Sequence, residues 1–160
     1  MTTEKPLTLG SLFDGSGGFP LGGLLAGVTP VWASEIEPFP IRVTTKRLPF
    51  MKHYGDISQM DGGKIEPVDI ITFGSPCTDM SIAGRRAGLD GRQSSLFYEA
   101  VRIIKEMRCA TDGKYPRWIC WENVPYVLQY INNVMNRNQL CKASPPKSSK
   151  TEQIALFRCA

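Results

Sequence analysis

The run Ile70-Ile71-Thr72-Phe73, followed at once by Gly74-Ser75-Pro76-Cys77, constrains this chain more than any other stretch. β-Branched and apolar residues without polar alternation read as a fully buried strand, of the kind found in helix-covered parallel sheets. Gly74 breaks the strand. Pro76 then stiffens the turn that presents Cys77 at the strand's carboxyl end, where open α/β sheets bind their ligands. Taken alone, Pro-Cys is better read as a small buried thiol closing a strand, because free cysteine is among the most buried residue types. Its neighbours change that balance.

The same punctuation recurs along the chain. Leu7 to Phe13 reads as a first strand that runs into Asp14-Gly15-Ser16-Gly17-Gly18-Phe19, a turn whose glycines permit close backbone approach to a ligand. A short helix is expected over Leu21 to Ala26, stopped by Gly27. Val31 to Ala33 is a second strand ending in Ser34-Glu35-Ile36-Glu37. Glu35 stands 20 positions after Gly15, a spacing that suits a ribose hydrogen bond, although a solvated strand-end acid reads the same way. Pro38 and Pro40 delay the next helix, expected from Ile41 to Arg47. Gly55-Asp56-Ile57 marks the end of a third strand, with Asp56 able to accept a hydrogen bond from an adenine amino group.

Past Cys77, residues Ser81 to Gln93 form a long unpatterned connection carrying Arg85, Arg86 and Arg92, which suits phosphate contacts as well as it suits a solvated basic loop. Ser94 to Met107 is the clearest helix, with Leu96, Ala100, Ile103, Ile104 and Met107 on one face. Arg117 to Trp121 is a fifth strand delivering Glu122, which would then face Cys77 across one crevice. Tyr126 to Met135 reads as a helix. Beyond Asn136 the pattern collapses into a Pro/Ser/Lys tract, so residues 141–160 are expected to be a disordered or aberrant tail behind a single domain over 1–140.

Composition narrows the chemistry. There is no apolar run near the length of about 18 residues that spans a bilayer, and no signal-peptide pattern. Five cysteines without a C-x-x-C pair argue against a zinc site and a disulfide framework, so the expectation is a reducing cytoplasm, no membrane and no metal. The formal charge of +4 permits a polyanion partner without demanding one. His53 is the single histidine and has no nucleophile beside it, so a nucleophilic cysteine here would work without a histidine base. The dinucleotide fingerprint G-x-G-x-x-G starting at Gly15 fails at Pro20. An adenosine ligand without a pyrophosphate fits better, and S-adenosylmethionine is the commonest such cofactor.

Taken together, these residues resemble the DNA cytosine-5 methyltransferase family over roughly positions 7 to 135. FDGSGGF (Phe13 to Phe19) is similar to its cofactor loop, SEIE (Ser34 to Glu37) to its ribose-side strand end and GDI (Gly55 to Ile57) to its adenine-side motif. GSPCTDMS (Gly74 to Ser81) resembles the nucleophile motif and WENV (Trp121 to Val124) the glutamate motif. The order of the five is the family's. The resemblance implies a Rossmann-like α/β fold: a mostly parallel sheet of strand order 3-2-1-4-5, helices on both faces, incomplete at the C-terminal side.

The resemblance also implies roles. S-adenosylmethionine would contact Phe13, Asp14, Gly15, Ser16, Gly17 and Gly18 in the loop, Glu35 and Ile36 at the second strand, Asp56 and Ile57 at the third, and Pro76 and Leu96. Cys77 would add to carbon 6 of a flipped-out cytosine. Glu122 would hold ring N3, with a carboxyl pKa raised by burial beside Trp121 and Val124. Ser81, Arg85, Arg86 and Arg92 would contact double-stranded DNA. Asp14 and Ser16 stand where many members carry Ala or Cys, a mild change, and Ile36 where an aromatic residue often stacks on adenine. The family's Gln-x-Arg-x-Arg motif, target-recognition domain and C-terminal Asn-bearing motif have no counterpart before Ala160. The chain alone is therefore expected not to methylate DNA, and to be either an inactive remnant that binds cofactor or one half of a split enzyme completed by a C-terminal polypeptide. A nicotinamide oxidoreductase would want the absent third glycine, and a pure binding module would not need both Cys77 and Glu122.

Overall fold

The computed structural model describes residues 5–74, 94–122, 141–143 and 154–159. Among them β1 (Thr8–Leu12), β2 (Thr29–Ser34), β3 (Lys52–His53), β4 (Ile70–Phe73), β5 (Trp118–Glu122), β6 (Cys141–Ala143) and β7 (Ile154–Cys159) form one sheet. Its order is β3-β2-β1-β4-β5-β7-β6, with the first five strands mutually parallel. The expected 3-2-1-4-5 order is therefore present, and β1 and β4 lie side by side where the order reverses. Right-handed crossovers place the helices. From β1 to β2 to β3 the chain steps in one direction, which puts α1 (Gly18–Leu25) and α2 (Pro38–Arg47) on one face. The β4-to-β5 step runs the other way and puts α3 (Ser94–Ala110) on the opposite face.

The α3 face holds the main core. Leu12, Trp32, Phe73 and Trp121 from the strands pack with Phe97, Ala100, Ile103, Ile104 and Met107 of α3, all buried. The expected helix face is correct but incomplete, since Phe97 and Val101 are buried beside it. Gly10 looks like a weak point in a strand and is a seat instead. The Trp32 ring occupies the space any Cβ at Gly10 would need, and its Nε1 donates to the Glu66 carbonyl at 2.8 Å. Among the described residues the other face carries a small apolar cluster, Ala33, Leu48 and Met51.

Several boundaries differ from the sequence expectation. α1 begins at Gly18, three residues early, with Pro20 in its first turn. It ends in a Schellman motif, Val28 N–H donating to Gly23 O at 2.8 Å and Gly27 taking φ 77. α2 begins at Pro38 and not Ile41, because neither early proline removes a hydrogen bond that the first turn uses. The third strand ends at His53, and Ile57–Gln59 is a 3-10 turn whose N-cap is Asp56.

The expectation of a disordered tail over 141–160 is corrected for two segments. β7 pairs antiparallel with every residue of β5, and β6 pairs with β7, so the outer edge of β5 is covered. IALFRC lacks apolar alternation, but an unpaired strand edge offers backbone donors and acceptors to any short extended run. The expected helix over Tyr126 to Met135 and the boundary at residue 140 lie outside the described residues. No described helix is long and apolar enough to cross a membrane.

Candidate functional site

Parallel register brings the strand ends to one rim. Leu12 aligns with Ser34 on one side and Phe73 on the other, and Phe73 aligns with Trp121. The glycine loop, Glu35, Gly74 and Glu122 therefore share the carboxyl edge of the sheet.

The loop after β1 is backbone in an unusual conformation. Phe13, Gly15 and Gly17 have φ of 53, 57 and 87, and Phe13 bears a side chain in a region most residues avoid. Glu35 fastens this loop. Its Oε2 accepts from the Gly15 amide at 2.7 Å, while Oε1 accepts from the Ile36 and Glu37 amides at 2.7 and 2.9 Å. The 20-residue spacing read as a ribose signal is thus, among the described residues, the span of a strap across the loop. A Cβ at Gly15 or Gly18 would meet no atom within 4 Å among the described residues. Ser16 is exposed, and so is Ile36, at 63%.

Asp14 is the residue that sequence reasoning undervalued. It is 5% exposed, and neither carboxyl oxygen has a hydrogen-bond partner among the described residues. Burial pushes its pKa up to about 6; the nearby Ser11 hydroxyl, without good hydrogen-bond geometry, offsets part of this, and the Glu35 charge adds to it. Gly17 leaves room: a Cβ there would run into Thr44 and approach Asp14 Oδ2 to 3.9 Å. The departure treated as mild places a buried acid beneath the loop. An acid in place of Ala or Cys before a glycine was the available signal. His53 ends β3 as a strand-end residue, its Nε2 3.2 Å from Thr44 Oγ1, and burial lowers its pKa.

At the third strand position Asp56 is exposed and its Oδ1 accepts from Ser58 N at 2.9 Å. The Ile57 side chain is turned into the core at 3% exposure. Ser34 Oγ donates to the Gly55 carbonyl at 2.7 Å, which ties this turn to β2.

On the other side of β1, Glu122 is half-buried at the end of β5, its Oε2 3.0 Å from the point a Cβ at Gly74 would occupy. A Cβ at Gly74 would press on the carboxylate, which would have to give way by a few tenths of an ångström. Beneath it Phe73, Phe97 and Trp121 form an aromatic floor with centroid separations of 5.3–6.1 Å. Leu96 packs against this core. Pro76, Cys77, Ser81, Arg85, Arg86, Arg92, Asn123 and Val124 lie outside the described residues. No group of three or more His, Cys, Asp or Glu among the described residues is placed to hold a metal ion.

The sequence profile of C-5 cytosine-specific DNA methylases matches residues 7–142. A DNA N-6-adenine-methyltransferase of Escherichia phage P1 is 36% identical over 136 residues, 81% of this chain and 18% of that protein. The type II methyltransferase M2.BsuMI of Bacillus subtilis is 35% identical over 119 residues, 74% of this chain and 29% of its own length. The chain thus spans less than a third of either relative. The S. pombe Dnmt2 methyltransferase structure superposes with a TM-score of 0.61 at 17% identity, covering 96% of this chain and 49% of that one. A prophage-encoded E. coli protein described as a DNA modification methyltransferase gives 0.60 at 24%, over 82% and 36%. These two likenesses concern the fold.

Proposed function

The chain belongs to the C-5 cytosine-specific DNA methylase family, and from that membership we propose that it supplies the cofactor site and the nucleophile for methylation of cytosine carbon 5 in DNA. The observation that carries the reading is the Glu122 carboxylate seated on Gly74, three residues ahead of Cys77.

The residues present fit an adenosyl cofactor. An open glycine loop strapped by Glu35, exposed apolar Ile36 and exposed Asp56 line one continuous rim. We assign the ribose to Glu35 and the adenine amino group to Asp56. When bound, S-adenosylmethionine supplies a methyl group on a sulfonium, an electrophile that needs a carbon nucleophile. Cys77 creates that nucleophile. Its thiolate adds to cytosine carbon 6, forming a carbon–sulfur bond and giving carbon 5 enamine character. Glu122, hydrogen-bonded at ring N3, holds the proton that offsets the developing charge. After methylation, loss of the carbon 5 proton expels the thiolate and restores the aromatic ring. The target base has to leave the duplex, and Ser81, Arg85, Arg86 and Arg92 are assigned to its phosphates and to the strand it vacates. The partner is double-stranded DNA.

A chimaera in which this chain replaces the matching segment of M2.BsuMI tests the assignment. A duplex containing 5-fluorocytosine should be trapped covalently at Cys77, and not in Cys77→Ser, because fluorine cannot leave as a proton does. Mapping of the adduct to Cys109 or Cys120 would overturn the nucleophile. The phage P1 relative's name motivates a second reading, transfer to adenine N6, although this chain covers only 18% of that protein. An amine nitrogen needs no thiol, so the reading leaves Cys77 and Glu122 without a task. Nucleoside analysis of tritiated product decides: 5-methylcytosine supports the first reading and N6-methyladenine the second.

A further inference from the structure

We propose that Arg102 is a positioning residue for the adenine end of the cofactor, an inference that rests on the cofactor reading above. Arg102 lies on α3, far from the cofactor loop in sequence, and no motif singles it out. Its Nη2 donates to the Ile57 carbonyl at 2.8 Å and its Nη1 to the Met60 carbonyl at 2.9 Å, so one guanidinium holds both ends of the 3-10 turn. Carboxylates fix the guanidinium from either side. Glu99 accepts from Nε and Nη2 at 2.8 and 2.7 Å, and Glu106 accepts from Nη1 at 2.9 Å. Glu106 Oε2 also accepts from the Gly62 amide at 2.7 Å, and Gly62 lies so close to the Ile103 carbonyl that no side chain fits there.

The turn held this way is the one Asp56 caps through Ser58 N. Asp56 is exposed, and its direction follows the turn's tilt. Packing α3 against residues 57–62 would need only an apolar side chain. Reaching two carbonyls while two carboxylates fix the orientation needs the planar five-donor fork of arginine, which lysine cannot reproduce. The clamp therefore sets where the Asp56 carboxylate stands, and with it the recognition of the adenine amino group. Because α3 begins at Ser94, directly after the stretch carrying Cys77, the same helix joins the adenine side to the nucleophile segment.

The test compares binding of S-adenosylhomocysteine and S-inosylhomocysteine, which differ in replacing the adenine amino donor by an oxygen. Calorimetry on the wild-type chain should give a preference of about tenfold or more for the adenosyl ligand, the order expected for a hydrogen bond to a charged acceptor. Arg102→Met should bring the ratio to within about twofold of unity, and Arg102→Lys should lie between. Ile103→Val, a truncation in the same helix that leaves the clamp intact, should keep the wild-type ratio while lowering the melting temperature. A full preference retained in folded Arg102→Met or Arg102→Lys overturns the proposal. So does equal loss of preference in Ile103→Val, which would mean general softening. Failure of the wild type to bind either ligand removes the cofactor reading and this inference with it. Wild-type binding without preference overturns the inference and the Asp56 assignment, and leaves the loop's role standing.

Discussion

The two faces of the sheet are built on different principles. Against α3 lies a dry aromatic and aliphatic core, in which Trp32, Phe73, Phe97, Trp121, Ile103 and Ile104 are all at most 1% exposed. Against α1 and α2 the apolar cluster among the described residues is Ala33, Leu48 and Met51, and buried polar groups lie beside it. The buried side-chain atoms lacking a partner among the described residues, on Ser11, Asp14 and His53, belong to this side. Leu9, two residues before Ser11 and so on the same strand face, packs toward Gly23 of α1, while Asp14 and His53 gather around Thr44 of α2. One face holds the fold together. The other sits under the glycine loop, and gives up packing for groups whose protonation and pairing can change.

The largest expected effect tests that division directly. Ile104→Ala on the α3 face should cost about 3–5 kcal/mol in urea unfolding, and Leu48→Ala on the other face about 2, the ends of the range for large-to-small core changes. Equal losses would break the comparison.

Asp14 gives the next effect. Its folded pKa, about 6, lies above the ordinary 3.8, so the native state binds the proton more tightly than the unfolded chain does. The contribution of Asp14 to stability is then fullest below pH 4, falls as pH rises between about 4 and 6, and stays reduced above that window. At 1.36 kcal/mol per pKa unit the total is on the order of 3 kcal/mol. Asp14→Asn should remove this slope and stabilise the protein at pH 7.5. An unchanged pH profile in the variant would show that the acid is solvated in solution.

Glu35→Ala should weaken S-adenosylhomocysteine binding by about 1.5–3 kcal/mol in calorimetry, the range for hydrogen bonds to a charged group. It loses the assigned ribose contact and also the strap to Gly15. Unchanged affinity would mean that the strap closes the loop without serving the ligand.

The smallest effect is a titration. As the single histidine, His53 can be followed by NMR without assignment ambiguity, and its pKa should lie below the usual 6.5 because burial disfavours the cation. The sign is opposite to that of Asp14: protonating His53 costs stability as pH falls through 6.5. A value above 6.5 would place a carboxylate beside it that the comparison of faces does not include.

Much of this was written locally. Short apolar runs ending in glycine or in strand-end acids marked four of the five parallel strands to within about two residues, because buried strands and their turns are set by nearest neighbours. The order of five short motifs named the family, and the expected strand order came with that resemblance. Gly55-Asp56-Ile57 misled as a strand end because a residue that caps a turn and one that ends a strand share the same chemistry. What only the tertiary structure decided depends on residues distant in sequence meeting. Gly10 is a seat for Trp32, Glu35 is a strap for Gly15, and Gly74 is the space in which Glu122 lies. Asp14 became an unusual acid only once α2 packed over it, since burial and not residue type sets its affinity for a proton. The strand Ile154–Cys159 owes its place to the edge of β5, which no reading of those six residues could supply. Pattern determines elements; the desolvation and pairing of each polar group are decided where elements cross.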